Sequence, residues 1–327
     1  MAVGMLERLG FGRSKAEVPK GRPPEGSRVY AIGDIHGELG LERKPLVCQT
    51  YPNMLTNTPE GYFVSLSFAC PAVLNNAGTP MEEKRDQLGR MLARAGKAVP
   101  QNVPLTDRVK VAGDATVAWS DYLKLEQHML AAFKPQQPAQ SVLSMAEQVA
   151  MAAMTGQLDA LVENGFQPFA PTEYAGQLLE VFSVNCISIM ELEKAPEKRV
   201  HFMNELMTEA GVVSPRYGCR LPAFSAQPKA RLSDLSLIHY YFQNIVFGKR
   251  LTSASLLDGL LTLAVGLALL VYYLEVFRAA HPEQTAKEMA FELIEGDVVT
   301  HSRGLNVLLD EFPNALIAYL AEMTMAA

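Results

Sequence analysis

The sequence predicts a mainly α-helical protein, in which a multi-helix body follows a small N-terminal region that contains short β-strands. Beyond Pro80, long segments repeat apolar residues at helical spacing, and Gly or Pro separates one segment from the next. Before Pro80, residues 62–68 (YFVSLSF) alternate like a strand. Apolar residues make up 49% and charged residues 20% of the chain, which is typical of a folded protein.

Three regions follow from these patterns. Residues 1–26 are basic and contain Gly and Pro, which predicts a mobile N-terminal arm. Residues 27–80 form a small cysteine-containing region with some strand, and residues 81–327 form the helical body. The expected helices of the body are residues 81–95, 122–133, 140–163, 173–192, 231–247 and 301–326, with a break near Pro313.

Charge and cysteine content limit the function classes. A formal net charge of -6 argues against broad binding to nucleic acid, which requires a basic surface. Four cysteines in 327 residues are too few for a secreted disulfide framework, so we expect a reducing, cytoplasmic location. The stretch 259–274 is uncharged, but it is shorter than the roughly 20 residues that cross a bilayer. We therefore expect a buried core helix and no membrane span.

A strand followed by a polar turn occurs at residues 28–37, which end in Gly-Asp34-Ile-His36-Gly. This run resembles the first motif of the calcineurin-like metallophosphoesterases. The resemblance implies that Asp34 and His36 bind a metal ion, because alternate residues at a strand end point the same way. The family's two further motifs are not matched: residues 113–118 lack the second Asp and the Arg, and residues 296–301 lack the Asn. One alternative is thus a metallophosphoesterase-like remnant.

Two short elements lie in residues 45–80. The first reads Cys48-Gln-Thr-Tyr-Pro and the second reads Ser-Leu-Ser-Phe-Ala-Cys70-Pro. From about residue 35 onward the chain resembles the flagellin lysine N-methylase family, whose members carry Cys-x-x-Tyr-Pro and Ser-Leu-Ser-x-x-Cys-Pro elements. Both cysteines and both prolines occupy matching places.

The resemblance implies methyl transfer from S-adenosylmethionine to lysine side chains of flagellin, with an iron-sulfur or other metal centre. By that resemblance Cys48 and Cys70 are metal ligands, and flagellin is the protein partner. Clusters of this kind are commonly held by four cysteine thiolates. The sequence itself identifies no catalytic residue and no methyl-donor pocket, because it contains neither a GxGxxG motif nor a P-loop.

The chain departs from the family at its N-terminus. Family members carry further cysteines upstream, whereas residues 1–47 contain none and Gly33 stands where one is expected. The metal shell is therefore incomplete and activity is expected to be impaired. From the residues alone, Cys48 and Cys70 are two buried apolar side chains, a two-ligand remnant, or part of a set completed by Cys186 and Cys219. A third function class is a non-catalytic helical module that binds a partner through its aromatic helix near Tyr240.

Overall fold

The protein is mainly α-helical, as predicted. A computed structural model describes residues 51–77, 107–168, 170–208, 211–225, 229–252, 254–301 and 308–326, with a few isolated positions between 83 and 90. These residues contain ten α-helices, a π-helix and three small two-stranded sheets. The expected arm, the Asp34 and His36 turn, Cys48 and most of the expected helix at residues 81–95 lie outside the described residues.

The first hairpin pairs β1 (Asn53–Thr58) with β2 (Gly61–Leu66) in antiparallel register, so that Thr58 faces Gly61. A two-residue turn at residues 59–60 joins the strands. Gly61 has a φ of 116°, which an L side chain rarely adopts, so glycine is required where β2 begins. A one-turn helix, α1 (Pro71–Leu74), follows directly after Cys70.

A second hairpin joins β3 (Arg108–Ala112) to β4 (Ala115–Ala118) through a turn at Gly113, whose φ is 52°. The second strand leads straight into α2 (Trp119–Ala132). Trp119 is the first helical residue and is buried, so the helix begins three residues before the expected start at residue 122. The strands of this hairpin were not predicted from the sequence, because strands of four or five residues are too short to show a clear alternating pattern.

The remaining elements are α3 (Pro138–Thr155), α4 (Leu158–Asn164), α5 (Glu173–Glu191), α6 (Arg199–Leu206), β5 (Val212–Val213), β6 (Arg220–Leu221), α7 (Leu235–Phe247), α8 (Leu256–Arg278), α9 (Glu283–Leu293), the π-helix (Ile294–His301) and α10 (Glu311–Ala326). Two of the expected helices differ from those observed. The helix expected over residues 140–163 is two helices, because Gly156 ends α3 with a φ of 69°. Pro313 lies in the first turn of α10, where proline is tolerated, so it marks a helix start.

Helix α8 is the centre of the core. It packs most extensively against α3 and also contacts α5, α9 and α10. Among the described helices it alone is long and apolar enough to cross a membrane, and 89% of its most apolar window is buried inside the protein. Burial on all sides explains a helix without a polar face. The prediction of a buried core helix is confirmed.

Candidate functional site

Cys70 is a free, partly buried cysteine at the junction of the first hairpin and α1. Its carbonyl accepts hydrogen bonds from the amides of Val73 and Leu74, both at 3.0 Å. Its own amide donates to the carbonyl of Ser67 at 3.2 Å. The backbone on both sides of the thiol is therefore held by hydrogen bonds.

The two elements that carry the family resemblance meet at this point. The amide of Ser67 donates to the carbonyl of Pro52 at 2.8 Å, and the Tyr51 hydroxyl interacts with the Cys70 thiol. Burial raises the pKa of Tyr51 to about 12, and the nearby Cys70, Glu295 and Glu292 contribute to the rise. Tyr51 therefore keeps its proton at neutral pH.

A buried ion pair lies beneath the hairpin. Glu295, in the first turn of the π-helix, is only 1% exposed. One carboxylate oxygen accepts from the Ser67 hydroxyl at 2.8 Å, and the other accepts from Arg250 Nη1 at 3.1 Å. Burial, together with the charge of Glu295, raises the pKa of Tyr241 beside this pair. π-Helical turns often occur at functional sites, and here the turn supplies the carboxylate that binds the hairpin.

Helix α7 binds the edge of the hairpin. The Asn244 side chain accepts from the Leu66 amide at 2.8 Å and donates to the Leu66 carbonyl at 2.7 Å. It thus satisfies both backbone groups of a strand end, as a neighbouring strand would. The Thr56 hydroxyl donates to the carbonyl of Gly248 at 2.6 Å. Through these bonds the hairpin, and with it Cys70, is fixed against the helical body.

Lys249 lies beside the hairpin in an aromatic enclosure. It is 4% exposed, and its ammonium forms an ion pair with Glu126 of α2. The ammonium lies 4.4 Å from the ring centre of Phe63, 5.8 Å from Trp119 and 5.9 Å from Phe247, which are cation–π distances. Burial raises the pKa of Glu126, while Lys249 and Tyr122 oppose the rise.

A second polar cluster surrounds Glu191 at the end of α5. Its carboxylate accepts from the Ser214 hydroxyl at 2.6 Å, the Tyr273 hydroxyl at 3.1 Å and the Arg216 amide at 3.2 Å. The Arg216 guanidinium forms an ion pair with Asp297 of the π-helix. The loop at residues 214–219 thus directs this arginine to a carboxylate within the chain.

The other cysteines of the described chain lie elsewhere. Cys186 is fully buried on α5, and burial raises the pKa of its thiol far above the usual range. Cys219 follows the loop near Glu191, and burial followed by the charge of Glu191 raises its pKa. In the described part of the chain, no group of three or more His, Cys, Asp and Glu side chains could hold a metal ion. Cys48 lies outside the described residues, so the set of four cysteines stays a prediction.

These features define a class: a mainly α-helical protein with a free thiol where its first hairpin meets α1, and with a buried glutamate–arginine pair bonded to Ser67 of the same segment. Comparison with protein-family models, curated proteins and solved structures finds no match for this chain. Sequence patterns singled out Cys70 as a candidate but missed the buried charges around the hairpin, which are Glu126, Lys249, Arg250 and Glu295. A charged residue beside apolar neighbours is the available signal, and it does not reveal which charges pair.

Proposed function

We propose that the protein is lysine N-methylase-like and transfers a methyl group from S-adenosylmethionine to protein lysine, with flagellin as the substrate suggested by the resemblance. The observation that supports this most directly is the contact between the Tyr51-Pro52 and Ser67–Cys70 segments. The resemblance rests on these two elements, which are separated in sequence by a hairpin. Their contact is what a shared site requires.

Cys48 is the proposed second thiol. It precedes Tyr51 by three positions, and so short a length of chain spans at most about 10 Å. Both thiols can therefore reach one centre. Two thiolates are fewer than the four that commonly hold an iron-sulfur cluster. The described residues do not complete the set.

A lysine substrate must lose its proton before its amine accepts a methyl group, and desolvation near a metal centre would favour that loss by lowering the lysine pKa. Tyr51 remains protonated and can donate a hydrogen bond, whereas Glu295 is already bound by Arg250 and Ser67. We therefore assign Tyr51 a positioning role beside Cys70 and assign Glu295 to holding the hairpin.

Anaerobic purification followed by iron and sulfide assays and a visible spectrum tests the proposal. We expect Cys70→Ser to lose most of the bound metal, because a serine hydroxyl is a poor ligand for such a centre. Cys219→Ser is the matched control, since it also removes a partly buried free thiol, and it should retain the metal. A colourless, metal-free wild-type protein, or equal metal in both variants, contradicts the mechanism.

One observation favours a second candidate, the non-catalytic helical module. Tyr240 and Phe247 are 63% and 57% exposed. They are two helical turns apart on α7, so they share one face of the helix. Exposed aromatic side chains are common in partner-binding surfaces. Metal analysis separates the candidates: absence of metal favours the module, and manganese or zinc lost on His36→Ala favours the phosphoesterase alternative.

A further inference from the structure

A cleft lies on a different part of the molecule, between α3, α4 and the final helix α10. Its volume is about 460 Å³, within the range of small-molecule sites. Met151, Leu161 and Leu320 supply apolar wall, and the side chains of Gln148 and Asn164 supply amide groups. Cys70 and the residues described around it do not line this cleft.

The cleft wall contains a buried carboxylate. Glu147 of α3 is 2% exposed, and its oxygens accept from the Thr172 amide at 2.9 Å and the Thr172 hydroxyl at 2.5 Å. A carboxylate can accept about four hydrogen bonds, so roughly half of its capacity is unused. Thr172 caps α5, and the helix N-terminus stabilises part of the negative charge.

Stabilisation of Glu147 by Thr172 and the helix is incomplete. Burial raises the pKa of Glu147, and the hydrogen bonds from Thr172 only oppose that rise. No Lys, Arg or His of the described chain forms an ion pair with it. A buried carboxylate that carries its charge is normally stabilised by a cation or by a full set of hydrogen bonds, and Glu147 has only the two from Thr172.

The rim of the cleft is already ordered. Gln148 accepts from the Gln167 amide at 2.7 Å and donates to the Gln167 carbonyl at 3.1 Å. Gly165 has a φ of 71°, and a Cβ there would lie 2.6 Å from His128 Nδ1, so the loop packs closely on α2. A preformed site loses little conformational entropy when a ligand binds.

We propose that this cleft binds a small organic cation, in which an ammonium or sulfonium group on an apolar body lies against the Glu147 carboxylate. The carboxylate of Glu147 favours a ligand with a cationic group, because the charges are complementary. The apolar wall of the cleft favours a ligand whose remaining part is apolar. The proposal does not depend on methyl transfer at Cys70, because no residue is shared between the two sites.

Titration calorimetry with matched probes tests whether the cleft prefers a ligand with a cationic group. We would compare 2-phenylethylamine with neutral 2-phenylethanol, and S-adenosylmethionine with S-adenosylhomocysteine, which lacks the sulfonium charge. At least one cationic probe should bind about tenfold or more tightly than its match, because a charge-assisted contact is lost in the other. The first pair reports an ammonium ligand and the second a sulfonium ligand.

Three variants test whether the cationic probe binds in this cleft. Glu147→Gln should weaken the cationic probe about tenfold or more, by removing the charge. Ala160→Trp should block the cleft from its exposed edge while leaving Glu147 unchanged. Glu180→Gln is the control, since Glu180 is a partly buried carboxylate of α5 outside the cleft, and it should bind normally.

Circular dichroism would establish that each variant is folded. The proposal is overturned if neither 2-phenylethylamine nor S-adenosylmethionine binds at millimolar concentration, or if the two members of each pair bind equally. It is overturned equally if a folded Glu147→Gln or Ala160→Trp variant binds as wild type does. The proposal at Cys70 is judged by metal content, whereas the cleft is judged by the Glu147→Gln and Ala160→Trp variants, so failure of one is distinguishable from failure of the other.

Discussion

At the scale of single residues, Lys249 combines several unfavourable features. It is buried, it has a φ of 59°, and three aromatic rings surround its ammonium. A left-handed conformation is strained for a residue with a side chain. The ion pair with Glu126 and the cation–π contacts are the interactions that offset burial and strain. Two buried polar atoms nearby, Ser65 Oγ and Trp119 Nε1, form no hydrogen bond with a described residue.

The ion pair gives a prediction about stability. Lys249→Met should lower the free energy of unfolding by about 3–5 kcal/mol, because it leaves the Glu126 carboxylate buried and unpaired. The double variant with Glu126→Leu should recover most of that loss, since both charges are then gone. Denaturant unfolding followed by circular dichroism measures both values.

The surface ion pair between Lys124 and Asp121 provides the control on the same helix. Lys124 is 57% exposed. Lys124→Met should therefore change the free energy of unfolding by less than about 1 kcal/mol, as is usual for an exposed ion pair. If the double variant were as unstable as Lys249→Met alone, the two buried charges would not be coupled and our account of Lys249 would be wrong.

At the scale of elements, α8 depends on one close approach. A Cβ at Gly259 would lie 2.3 Å from the carbonyl oxygen of Leu251 and 2.7 Å from its Cα. The first turn of the helix therefore packs directly on the backbone that precedes it. Gly266, two turns later, has only Ile294 Cγ2 nearby at 3.7 Å among the described atoms, which is ordinary contact.

The two glycines form a matched pair for a second stability prediction. Gly259→Ala should lower the melting temperature, because overpacking against backbone typically costs about 1–3 kcal/mol. Gly266→Ala should be neutral or raise it slightly, since Ala is favoured over Gly in a helix by up to about 1 kcal/mol. Differential scanning calorimetry measures both, and equal effects would contradict the packing described for Gly259.

At the scale of the whole molecule, the burial of α8 bears on two interpretations of an apolar segment, which are a core helix and a membrane span. Its apolar residues contact other helices on every side, and 89% of the apolar window is covered. A helix covered in this way has little surface left for lipid. This is consistent with a soluble protein, and the tertiary structure supplies the distinction that length and composition leave open.

Cell fractionation of the full chain tests whether α8 is a core helix. After lysis without detergent, the protein should remain in the supernatant of a high-speed centrifugation, because its apolar helix is already buried by protein. Release from the pellet only by detergent, and not by high salt or alkaline carbonate, would contradict a core helix.

The sequence by itself determined the helical class, the position of most helices and the apolar character of α8, because periodicity and Gly or Pro punctuation are local properties. It also indicated the strand that becomes β2 and singled out Cys70 as a candidate. The sequence did not indicate β1, which pairs with β2, or the strands of the second hairpin. It also missed several helix starts. In each case the pattern covers only a few residues.

Only the tertiary structure decided which charged residues meet. Glu126 and Lys249 are 123 positions apart, and Ser67 and Glu295 are 228 apart. Such pairs leave no local pattern, because their partner is chosen by how helices pack and which carboxylates are thereby removed from water. The same reason applies to Glu147: an ordinary helical glutamate in sequence becomes a buried carboxylate in a cleft through the packing of α3 against its neighbours.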